Sequence, residues 1–313
     1  MSVALDRSSE SANRKSLNSA TTLATRVLFK AFFLFCITCL VSQGVAFSPR
    51  LLCSSARSRA YTLRESSTVL DDNDEKSAQS HVVFPGGGIF FYWQAGVVCY
   101  LREQGYNLDD ATMAGASAGA LTATLTASNV DFYDATVLAL DLAEEEGVWD
   151  RRGGLQGVWG PMIERWLDEM LPSNVVDIID NRLTLLVTPV PSFGKSRVSH
   201  FTDKNDLIRC NMASVHLPWF LDSQFTSMFR ERPHIDGSFL AGPNDYLPPE
   251  GKTPKSVIVL DWQSDPAMEG KALEFVSTYS KDAIWDLLER GKAYAKIMDK
   301  HGEFELSLEK AVS

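Results

Sequence analysis

Two clusters of residues in this chain have the types and spacing that acyl transfer needs. Ser117 stands inside Gly115-Ala116-Ser117-Ala118-Gly119, with a glycine two places away on either side. That spacing suits a sharp strand-to-helix turn, which admits only small neighbours and lifts the hydroxyl clear of the sheet. The helix that follows would bring its positive end to the hydroxyl and favour negative charge developing there. The second cluster is Gly86-Gly87-Gly88. A glycine run leaves backbone N–H groups bare and able to converge on one point, as a tetrahedral oxyanion requires. Either cluster alone also fits an ordinary loop, so the weight rests on the elements around them.

Those elements read as strand, loop and helix. Val82-Val83-Phe84 is a short apolar run that predicts a buried strand, with Pro85 to Gly88 as the loop after it. Ala111-Thr112-Met113-Ala114 predicts a second strand, and Ala120 to Leu125 a helix leaving the serine turn. Helical periodicity runs from Phe132 to Glu146, where Asp131 can cap, and again over Pro161–Leu171 and Asp203–Ala213. Leu183 to Val190 reads as a strand that Pro189 ends or places at an edge. Ser256 to Leu260 reads as a buried strand, and Lys271 to Met298 as one long C-terminal helix. Strands interleaved with helices predict an α/β fold, a mostly parallel central sheet with helices on both faces. Trp149, Trp159 and Trp166 surround the glycine-containing loop from Arg151 to Gly160. They suit either core packing, the better reading for Trp166, or an interfacial contact.

At these residues the chain resembles the patatin-like phospholipase family. Pro85-Gly-Gly-Gly-Ile-Phe-Phe-Tyr-Trp-Gln-Ala-Gly96 has that family's glycine spacing. Gly115 to Thr124, Val198 to Ile208 and Ala213-Ser-Val-His-Leu-Pro218 follow in the family's order, so the likeness runs from about Val82 to about Trp262. Within the family the pattern is most like the animal triglyceride-lipase and adiponutrin-type branch. The resemblance implies a three-layer patatin-like sandwich and a Ser–Asp dyad in which Ser117 is the nucleophile and Asp236 the base. It implies an oxyanion hole from Gly86, Gly87 and Gly88, and no cofactor. Asp236 lies in Arg232-Pro233-His234-Ile235-Asp236-Gly237-Ser238, matching the family's Asp-Gly motif. Read from spacing alone, Asp236-Gly237 is first a turn pair and second a strand-end carboxylate. Two departures stand out: Phe91 where the family carries glycine, and Ser238 where it carries glycine or alanine.

No histidine is needed for a dyad. His81, His200, His216, His234 and His301 are read as structural or surface residues, with His234 a possible neighbour of the site. None has metal-ligand spacing to another. Of five cysteines, Cys36, Cys39 and Cys53 fall near the N-terminus, leaving Cys99 and Cys210 as reduced core residues in helices.

The N-terminal region reads as targeting sequence. Arg14, Lys15, Arg26 and Lys30 precede an apolar run from Ala31 to Val41, and Gly44-Val45-Ala46 offers a cleavage site. Phe47-Ser48-Pro49-Arg50 then opens a stretch rich in serine and arginine and poor in acids. The expected organisation is a signal peptide over 1–46, a transit-peptide-like segment with an acidic linker over 47–79, and the hydrolase domain over 80–313. This resembles the bipartite plastid presequence of diatoms and related algae. The destination expected is the plastid, with secretion or an endomembrane anchor as alternatives. The formal charge is −10 although the first seventy residues are basic, so the folded part is acidic. That disfavours nucleic acid as a partner.

The expectation is a serine hydrolase of glycerolipid esters (phospholipid, galactolipid or acylglycerol) working at a membrane or lipid-droplet surface through an acyl-enzyme. The alternative in the same fold is a lipid-binding or regulatory protein with weak or no hydrolysis. A phosphate-cradling nucleotide binder is disfavoured, because no Lys-Ser or Lys-Thr follows the glycines.

Overall fold

The computed structural model describes residues 79–248 and 253–310. The segments read above as signal and transit peptide lie outside those residues, residue 79 apart.

Among the described residues, seven strands form one sheet: β1 (Ser80–Phe84), β2 (Thr112–Gly115), β3 (Leu183–Pro189), β4 (Ser196–Val198), β5 (Ser227–Phe229), β6 (Arg232–Ile235) and β7 (Ser256–Val259). Their order is β5-β6-β3-β2-β1-β7, with β4 as a further partner of β3. β7, β1, β2 and β3 are parallel, and β4, β5 and β6 run antiparallel to their neighbours. The parallel strands are short apolar runs such as His-Val-Val-Phe and Leu-Thr-Leu-Leu-Val, as strands covered on both faces require. The cover is α1 (Phe91–Glu103), α2 (Ala118–Ala127), α3 (Phe132–Glu145), α4 (Trp159–Met170), the single turn α5 (Val175–Ile178), α6 (Lys204–Ser214) and α7 (Lys281–Lys300). α2 lies on β1, β2 and β3, α6 on β3, β5 and β6, and α1 packs along α7. The result is an α/β three-layer arrangement.

Several boundaries have a visible cause. The Asp131 carboxylate accepts hydrogen bonds from the N–H groups of Tyr133 and Asp134, and Asp203 from Asp206, so each fixes a helix start. Cys99 and Cys210 are free and buried in α1 and α6. Two expectations are corrected. The long C-terminal helix begins only at Lys281, capped by the Ser280 hydroxyl. Residues Lys271–Glu274 form a separate 3₁₀ turn, and the Phe275 carbonyl beyond it accepts from the Ile89 N–H at 2.8 Å. That segment is held by the glycine loop rather than by helix propensity. The strand at Ser256–Val259 is an edge strand rather than a buried one, and Val259 is 53% exposed.

Register brings distant segments together. β2 pairs Gly115 with Leu185 of β3, so the chain leaving β2 reaches Ser117 alongside the next residues of β3. β6 approaches β3 from the other direction and pairs Ile235 with Thr188, so Asp236 arrives at the same stretch of β3.

Candidate active site

Ser117 occupies the strained turn that its glycines foretell. Its backbone has φ 55° and ψ −131°, an uncommon conformation for a non-glycine residue. It caps α2 and is 7% exposed. The elbow leaves no room around it: a Cβ on Gly119 would lie 1.9 Å from the Phe84 carbonyl oxygen. A residue that sequence reasoning placed in a motif but gave no role anchors this turn. The Ser214 hydroxyl accepts from the Ser117 N–H at 3.0 Å and donates to the Leu186 carbonyl at 2.7 Å. The Ser214 carbonyl in turn accepts from the Gly237 N–H at 2.8 Å. One residue of α6 thus ties the serine turn, the central strand and the Asp-Gly motif together.

Asp236 is 3% exposed, and its N–H donates to the His216 carbonyl at 2.9 Å. Its Oδ1 accepts from the Ser238 N–H at 2.8 Å and from the Ser238 hydroxyl at 2.5 Å. Among the described residues, Oδ2 is the one buried side-chain polar atom without a well-formed hydrogen bond. The Ser117 hydroxyl stands beside this carboxyl and favours its ionised form. Burial is the larger influence and raises the Asp236 pKa above the usual carboxylate value. Ser117, Ser238 and the charge of Lys195 pull it back. The departure Ser238 therefore has a function in geometry: it clamps one carboxylate oxygen.

The glycine loop lies beside the serine. A Cβ built on Gly86 would sit 3.1 Å from the Ser117 Cβ and 2.8 Å from that of Ser238. The Gly86 backbone approaches the Tyr246 hydroxyl. Gly88 has φ +56° and runs against the Phe275 carbonyl. Among the described residues, the N–H groups of Gly87, Gly88 and Ala118 donate to no backbone carbonyl.

Ser117 opens onto an apolar pocket whose walls include Phe91, Leu121, Leu140, Ile163, Trp166 and Leu217. Its cavity volume is about 90 Å³, and it is partly open to solvent. Phe91 packs on the apolar side, edge-on to Trp166 at 5.5 Å and 5.9 Å from Phe132. Trp149 and Trp159 line the same pocket, and the Trp166 indole donates to the Ala135 carbonyl at 2.7 Å. No histidine ring hydrogen-bonds to Ser117 or Asp236 among the described residues. The His234 ring pairs with the Arg232 carbonyl and that of His216 with Gln224. No cluster of three metal-ligating side chains occurs among the described residues.

A family model described as "Patatin-like phospholipase" matches residues 82–244. The chain belongs to the patatin-like phospholipase family. The match begins in β1 and runs past Ser117 and Asp236, so both patatin-like motifs fall inside it. Patatin-like phospholipase domain-containing protein 2 from Homo sapiens is 29% identical over 176 residues, 54% of this chain and 33% of that protein. The omega-hydroxyceramide transacylase of Mus musculus is 27% identical over 161 residues, 50% of this chain and 27% of that protein. The matched stretches thus span about a third or less of these relatives. VipD from Legionella pneumophila aligns over 58% of this chain and 49% of its own, with a TM-score of 0.36 and 16% identity. The family is one of lipid hydrolases.

Proposed function

We propose that this chain hydrolyses glycerolipid esters through a Ser117–Asp236 dyad. The observation that carries the reading is the buried Oδ2 of Asp236. It has no well-formed hydrogen bond, and its carboxyl stands beside the hydroxyl of a strained serine at the mouth of an apolar pocket. A buried carboxylate oxygen left unpaired destabilises the fold, so its persistence suits a proton acceptor. An acyl chain enters the pocket and its ester carbonyl meets Ser117. Ser117 Oγ attacks the carbonyl carbon as its proton passes to Asp236 Oδ2. The oxyanion is held by N–H groups of the Gly86–Gly88 loop and by the helix end at Ala118. Asp236 then protonates the departing alcohol. Water, deprotonated by Asp236, attacks the acyl-enzyme, the bond to Ser117 Oγ breaks as Asp236 returns the proton to that oxygen, and the fatty acid leaves.

The test is turnover of phospholipid, galactolipid and triacylglycerol by the purified chain and by its Ser117→Ala variant. Fatty acid release by the first and not the second supports the reading. Lipid binding without release by either would establish the lipid-binding alternative.

We further propose a plastid destination and action at a membrane or lipid-droplet surface, on the strength of the N-terminal pattern and the apolar pocket. Among the described residues no helix is long and apolar enough to cross a membrane. A reporter carrying residues 1–80 should reach the plastid of a diatom-like cell. Phe47→Ala should halt it before the inner plastid membranes, and secretion of the unaltered fusion would overturn the assignment.

A further inference from the structure

Lys195 lies just before β4 and reaches the backbone of Asp236 through one intervening hydroxyl. Ser196 pairs with Val187 of β3, which sets Lys195 against Thr188. Its Nζ donates to the Thr188 hydroxyl at 2.9 Å, and that hydroxyl donates to the Asp236 carbonyl at 2.9 Å. The ammonium also stands 5.9 Å from the centre of the Phe239 ring. No carboxylate forms an ion pair with it among the described residues. Lys195 is half-buried, and a lysine held there by a hydroxyl rather than an ion pair, next to the backbone of a buried aspartate, is a functional signal.

We propose that Lys195 is a positioning residue for Asp236: held through Thr188, its charge keeps the buried carboxyl ionised and ready to accept the serine proton. The proposal rests on the reading of Asp236 as the base.

The surroundings leave this task to Lys195. The Lys195 charge favours the ionised form of Asp236. Burial holds the Lys195 pKa down to about 8, opposed by Asp236 and Asp245. Arg197, two residues on, is turned to the carbonyls of Asn244 and Asp245. Tyr246 and His216 also feel the Asp236 charge, but burial keeps the phenol protonated and favours the neutral imidazole. Both therefore leave Asp236 without a further positive charge near neutral pH. An opposite charge within a few ångströms lowers a carboxyl pKa by roughly one to three units.

Two readings on the full chain test this. The first is the pH profile of kcat/KM on 4-nitrophenyl butyrate, a neutral soluble ester that removes headgroup and interface effects. The second is the titration of Asp236 by carbon NMR of the aspartate-labelled protein, its signal assigned by loss in Asp236→Asn. Lys195→Met should raise both the acid limb and the titration midpoint by about one unit, a roughly tenfold loss of rate on that limb. Lys195→Arg should return both to the wild-type position. A uniform loss at every pH with an unmoved midpoint would overturn the proposal and leave Lys195 a packing residue. If Lys195→Met does not fold, Lys195→Gln takes its place in both readings. If the wild-type chain turns over no ester, the hydrolase reading fails, and the NMR midpoint alone decides whether Lys195 governs Asp236.

Discussion

At the scale of single residues, the site is a set of mutual constraints on two oxygens. Ser117 Oγ is presented by a strained turn, and Asp236 Oδ2 is kept open because Ser238 occupies Oδ1. Ser117→Ala should lower ester turnover by several orders of magnitude with the fold intact, and Asp236→Asn should approach the same loss. The double variant should be little worse than either, because the pair acts as one unit; additive losses in kcat would show separate roles. Ser214→Ala is the sharper test of positioning. It strands the Ser117 N–H and the Leu186 carbonyl, which should remove about 1–3 kcal/mol in denaturant unfolding and lower kcat more than it raises KM. Phe91 is bound into the pocket wall rather than intruding on the glycine loop, since its ring meets Trp166 and Phe132. Phe91→Gly should destabilise the protein by about 3–5 kcal/mol without raising turnover. A large rate gain at unchanged stability would mark the natural protein as a weakened hydrolase.

At the scale of elements, the site depends on how closely helices and strands approach. α1 carries Phe91 at its start and crosses α7 backbone to backbone. A Cβ on Gly96 would lie 1.9 Å from the Leu288 carbonyl oxygen, and one on Gly291 equally near that of Trp93. Gly96→Ala gains about 1 kcal/mol of helix propensity. It also forces two backbones apart, and overpacking of about 1–3 kcal/mol or more outweighs the gain. A fall in the chemical-denaturation midpoint is expected, and an unchanged midpoint would mean the helices slide without strain. The Ile89–Phe275 hydrogen bond couples this helix pair to the glycine loop, because the segment leading into α7 runs against Gly88.

At the scale of the whole molecule, three buried histidines link stability to pH. Burial lowers the pKa of His81, His216 and His234 below the ordinary imidazole value of about 6.5. A depressed folded pKa means stability is full above that value and is lost as pH falls from it towards the folded pKa. Asp236 acts in the opposite sense. Its folded pKa is raised, so its contribution is present at low pH and lost as pH climbs from about 4 through the folded value. Unfolding temperature measured from pH 8 to pH 5 should therefore decline below about 6.5. Asp236→Asn should be more stable than the wild type at pH 7 to 8, with the advantage shrinking towards pH 4. A variant no more stable at neutral pH would show that the carboxylate is fully compensated where it lies.

The sequence by itself determined the parts that local geometry dictates. Only small residues fit a strained serine turn, so Gly115 to Gly119 mark that turn, and Asp131 and Asp203 mark helix starts through their caps. Apolar runs marked the parallel strands, and the ordered motifs gave the family. Asp236 was named only through likeness, because an Asp-Gly pair is ambiguous until β6 is seen to return antiparallel and set it beside Ser117. Tertiary structure alone decided what Ser214, Ser238 and Lys195 do, since each acts on a partner far along the chain or hidden from solvent. It also broke the apparent long helix at Lys281 and left β7 at an edge. Periodicity reports which face of a segment is apolar. It does not report which other segment will lie against that face, and burial, charge coupling and hydrogen-bond partners all depend on that second segment.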